Sequence, residues 1–147
     1  MRDRLLAGVV GMAVCVTMCG CGRDAGPTRY DVSGEVTFNG NPVPAGHVLL
    51  TPNAASGNQG PQGFAPIRNG RFTTSGAEGK GAGSGAYRIE IHGSDGVPYQ
   101  GEEGEVPEGR MLFPTVRENV TLPARDSSLA IAVSSPGGGA QATVEVL

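Results

Sequence analysis

The pattern of apolar and polar positions changes once along this chain. Residues 5–18 form an apolar run without polar residues at helical spacing, and beyond residue 20 the dominant period is two. Val32, Gly34, Val36 and Phe38 alternate with Ser33, Glu35 and Thr37, which reads as a half-buried strand. Asn39-Gly40 ends it with residues that accept positive φ, and a Pro/Gly-rich corner covers residues 42–46. Further strands are expected at 47–51, 64–67, 71–74, 87–92, 116–122 and 129–133, with Asn69-Gly70 as a hairpin turn. Short strands recurring near every ten residues predict an all-β sandwich of about seven strands. Its inward set would be Val32, Val36, Phe38, Val48, Leu50, Phe72, Tyr87, Ile89, Ile91, Val120, Leu122, Leu129, Ile131 and Val133. Three stretches carry no such pattern: 53–62, expected to be mobile, the glycine-rich 75–85, and 93–114. Residues 134–147 are expected to form a glycine-rich tail or an edge hairpin.

Charge and composition assign a different task to the N-terminus. Arg2 and Arg4 precede the apolar run, and Gly20-Cys21 follow it, which is the layout of a secretory signal. The run is too short for a permanent membrane span, which needs about 20 apolar residues. Of the chain's 25 glycines only Gly8, Gly11 and Gly20 precede residue 21, and none of its 11 prolines does. These residues fall between β-rich runs, as expected of strands joined by tight turns. A net charge of −3 with no basic stripe argues against a nucleic-acid partner.

Cys15 and Cys19 would leave with the signal, so Cys21 would remain alone and no disulfide could form within the mature domain. Met18-Cys19-Gly20-Cys21 resembles the lipobox of bacterial lipoproteins, with Met18 where leucine is usual. The resemblance implies cleavage between Gly20 and Cys21, acylation of Cys21, and anchoring of an exported protein to a membrane of the cell envelope. Buried acyl chains contribute about 0.8 kcal/mol per methylene, so more than one chain gives a stable anchor. The expected organisation is a signal helix at 1–20, a lipidated cysteine and flexible tether at 21–29, and a β-domain at 30–133.

Val32-Ser33-Gly34-Glu35-Val36-Thr37-Phe38-Asn39-Gly40-Asn41-Pro42-Val43-Pro44-Ala45-Gly46 resembles the opening of carboxypeptidase-regulatory-like domains. Asn69-Gly70-Arg71-Phe72 and Gly85-Ala86-Tyr87-Arg88-Ile89-Glu90-Ile91 are similar to two later elements of that family. The resemblance implies a prealbumin-like Greek-key β-sandwich, usually without catalysis, and transfers no functional residue. The loops 53–62 and 93–114 fall outside it.

Searches for chemistry yield little. Residues 79–86 contain a G-x-G-x-x-A match, but it precedes a strand, whereas a dinucleotide loop must open a helix. No G-x-S-x-G is present, and the Tyr-Arg-Gly-Ser ending of the transthyretin-like hydrolases is absent from Thr143-Val144-Glu145-Val146-Leu147. His47 and His92 are far apart in sequence, so no zinc site is expected, and no cofactor is expected either. Glu102, Glu103, Glu105 and Glu108 lack calcium-loop spacing and read as a solvated acidic loop. That loop also holds Tyr99 and Phe113, the aromatics with no strand position. The expected function is therefore a lipid-anchored, non-catalytic adaptor contacting an envelope protein through Tyr99, Glu102, Glu103, Glu105 and Phe113. A polysaccharide-binding module is the alternative, and a transthyretin-like hydrolase the third reading.

Overall fold

The computed structural model describes residues 26–147. The signal segment, the cleavage pair Gly20-Cys21 and most of the proposed tether lie outside the described residues. Among these residues the chain is all-β. In order it forms β1 (Val32–Phe38), β2 (Asn41–Pro42), β3 (Ala45–Pro52), β4 (Gly63–Arg68), β5 (Arg71–Thr73) and β6 (Gly85–Ser94). Then follow β7 (Tyr99–Gly101), β8 (Gly104–Val106), β9 (Val116–Leu122), β10 (Ser127–Ser134) and β11 (Gln141–Val146). No helix among the described residues is long and apolar enough to cross a membrane.

Local chemistry sets two of the turns. Asn39 and Gly40 both have positive φ, and so do Asn69 and Gly70. Each pair is the two-residue connection of a hairpin, between β1 and β2 and between β4 and β5. Strand order is β11-β10-β1-β5-β4-β3-β6-β9, with β2 added on β1. Within it β3, β4 and β5 are successive neighbours and β6 returns beside β3, the arrangement of a Greek key. The β1–β10 pair is parallel, whereas the other pairs are antiparallel. The end strands β9 and β11 approach one another, so the sheet folds over into a barrel- or sandwich-like shape around one core.

All the expected inward residues are buried except Phe38, which is half-buried. Val43, Ala65, Ile67, Ala82, Phe113 and Val116 complete the core. Tyr87 is fully buried, and its hydroxyl accepts from Gly83 N and donates to Pro61 O, both at 2.8 Å. One phenol thus satisfies backbone groups of two loops whose polar atoms would otherwise be costly to bury.

Three segments carry structure that alternation did not mark. The domain does not stop at residue 133: β11 pairs with β10 along its length, the edge form of the two expected for the tail. With β2 on β1, this brings the sheet to nine strands. The loop 53–62 is not featureless, since it contains a 3-10 turn at Ala54–Ser56, and Asn58 Nδ2 donates to Ala86 O at 2.8 Å. Arg29, expected in the flexible tether, donates from its guanidinium to the carbonyls of Gln62 and Gly81. Tyr30 then bridges Ala82, fastening the start of the domain to the glycine-rich loop.

Candidate functional site

The stretch 93–114, patternless in sequence, is a folded arm whose base is organised by Asp95. Its Oδ1 accepts from Val97 N and Arg110 N, both at 3.0 Å, and its backbone N–H donates to Arg110 O at 2.9 Å. One short carboxylate thereby ties the outgoing and returning strands, a role suited to Asp in turns. Gly96 N to Glu108 O and the Ser94–Met111 bridge continue the pairing. Beyond the base, β7 and β8 pair antiparallel, with Tyr99 opposite Val106 and Gly101 opposite Gly104.

Glu102 and Glu103 are exposed in the two-residue connection at the tip, and Glu105 and Glu108 are exposed on the returning side. With Asp95 the arm carries five of the chain's 14 acidic residues. Val97 and Met111 flank the base and are each 61% exposed. Tyr99 is half-buried, and the Arg110 guanidinium lies 4.4 Å from its ring centroid, a cation–π arrangement.

Phe113 does not belong to this surface. It is 3% exposed and packs against Phe38, with ring centroids 5.0 Å apart. Pro114 and Thr115 lead directly into β9, so the ring is drawn into the sandwich and anchors the foot of the arm. Of the residues singled out from sequence, Tyr99, Glu102, Glu103 and Glu105 share the arm, whereas Phe113 serves the core.

A second cluster was not legible as a pair. His47 on β3 and His92 on β6 stand directly opposite one another. Their rings stack at 4.3 Å and 18°, and Phe64 lies on His47 at 5.7 Å. His92 Nδ1 is 3.1 Å from Thr115 Oγ1. Partial burial lowers the His92 pKa below its ordinary value, and the neighbouring His47 pushes the same way.

A groove of about 790 Å³ lies elsewhere, beside β1, β5 and the 75–79 loop. Arg68 and Arg71 line it but are already paired with Glu78 and Glu35. Size alone makes it conspicuous. Its charged groups satisfy one another, so the arm is the stronger candidate for recognition.

Among the described residues, no group of three or more His, Cys, Asp or Glu side chains converges as a metal cage. Among the described residues, neither histidine is hydrogen-bonded to a serine. Comparison of the chain with family models, with curated proteins and with solved structures gives no match.

Proposed function

We propose that this chain is an exported lipoprotein, anchored through Cys21, whose β-sandwich is a non-catalytic docking module of the cell envelope. The Greek-key strand order supports the resemblance to carboxypeptidase-regulatory-like domains, and the lipobox-like Met18-Cys19-Gly20-Cys21 supports the anchor. The observation that carries the docking role is the arm. It presents Val97, Met111, Tyr99 and Arg110 beside a carboxylate-rich tip, on a base braced by Asp95. Met, Tyr and Arg are enriched at protein interfaces, and a braced hairpin loses little freedom on binding. The clustered carboxylates select a partner protein with a basic contact surface and steer its approach.

Replacing Glu102, Glu103 and Glu105 together by lysine tests this reading. After mild crosslinking in cells, the parent protein should recover a defined envelope protein, and the triple variant should lose it while its circular dichroism is unchanged. Capture that survives the charge reversal would move the contact off the arm. Specific binding to purified envelope glycans that is lost in Tyr99→Ala would replace the protein partner by a polysaccharide.

A further inference from the structure

We propose that His47 and His92 form a two-imidazole site for a divalent transition-metal ion on the outer face of the sheet. This site is independent of the arm's docking role. Its first support is register. The two residues are directly opposed on antiparallel strands, an arrangement that places their β-carbons about 4.5–5.5 Å apart. Both side chains point away from the core, since Val48 and Leu50 on β3 and Ile89 and Ile91 on β6 point into it.

The second support is the environment of the rings. They stack at 4.3 Å, and Phe64 flanks His47 on the neighbouring strand. Thr115 Oγ1 lies 3.1 Å from His92 Nδ1, and with Nδ1–H donating to it Nε2 carries the lone pair for a ligand bond. Donation from the far ring nitrogen is how metal-binding histidines are usually oriented. The charged groups around His92 are His47, Glu90, Arg117 and Glu108. Glu90 is itself paired with Arg117 at 3.1 Å. Coordination requires the stacked rings to splay until one nitrogen of each converges on a single ion. Water completes the coordination sphere. Two imidazoles with open positions favour Cu(II) over the other divalent first-row ions.

Cu(II) titrated into the untagged full-length chain, with its cysteines alkylated and the protein held in detergent, provides the test. One equivalent should bind with an electron paramagnetic resonance signal of two nitrogen ligands. His47→Gln and His92→Gln should each leave one nitrogen and weaken binding about tenfold or more, a loss no smaller than that seen when a ligand's hydrogen-bond partner is removed. Circular dichroism should remain that of the parent, because both side chains lie outside the core. A parent signal of a single nitrogen, or affinity unchanged in either variant, would overturn the site.

Discussion

Gly93 and Phe113 offer a sharp test of how the arm is fixed to the sandwich. A β-carbon added at Gly93 would fall 2.5 Å from Phe113 Cε1 and 3.1 Å from Val43 Cγ1. Contacts that short force the ring to move, and overpacking of this kind costs about 1–3 kcal/mol. Replacing glycine within a strand recovers part of that, about 0.5–1 kcal/mol, through the unfolded chain. Gly93→Ala should therefore destabilise by about 1–2 kcal/mol. Phe113→Ala removes a 3%-exposed ring and leaves a cavity against Phe38, at a cost of about 3–5 kcal/mol. The low end is expected, because Phe38 is half-exposed and can settle into the space. In the double variant the clash with the ring is gone and only the 3.1 Å approach to Val43 Cγ1 remains. Gly93→Ala should then be neutral or slightly stabilising, giving a favourable coupling of about 1–3 kcal/mol. Urea unfolding of the four proteins in the cycle measures each term. Costs that add to within about 0.5 kcal/mol would refute the contact and with it the assignment of Phe113 to the core.

Two other outcomes are expected. Expressed in a bacterium that processes lipoproteins, the chain should incorporate labelled fatty acid, and Cys21→Ser should abolish the label; equal labelling of both proteins would exclude Cys21 as the anchor. For pH dependence the sign follows from His92, whose folded pKa lies below its ordinary 6.5. Between the two values the unfolded chain binds more protons, so this residue's contribution is fully favourable above about 6.5 and is lost as pH falls below it. Urea midpoints should drop on acidification below about pH 6.5, and His92→Gln should flatten the slope there; parallel slopes for parent and variant would contradict the assignment.

The fold was legible where its determinants are local. Strand β1 and strand β9 have the bounds that alternation marks out, and Asn-Gly occupies both hairpin turns that required positive φ. Period two also separates inward from outward residues without knowledge of partners, and for that reason the expected core is nearly the observed one. Val43 and Ile67 escaped because each is flanked by prolines or turn residues that interrupt alternation. Strand β11 was legible only as one of two forms of the tail, because its inward residues, Ala142 and Val144, are small or only half-buried and leave a weak pattern. The arm was hidden for another reason. Its strands β7 and β8 have three residues each, and the organising interaction is a single Asp95 side chain spanning to Arg110.

The histidine pair marks the boundary between local and long-range information. Alternation alone places His47 opposite in sense to Val48, and His92 opposite in sense to Ile91, so both face outward. What it lacks is the register of β3 against β6, because a slip by one residue along either strand would separate the rings. The Greek key supplies that register by returning β6 beside β3, after β4 and β5 have formed their own hairpin. The same strand then carries the functional consequence onward. β6 presents His92 on the outer face and continues into Gly93 and Ser94, where the arm begins and where Leu112 N returns to Gly93 O at 2.9 Å. Thr115 closes the circuit from the other end of the arm by reaching His92. Imidazole pair and arm thus share one strand and one exit, β6 and the Gly93–Ser94 step that follows His92.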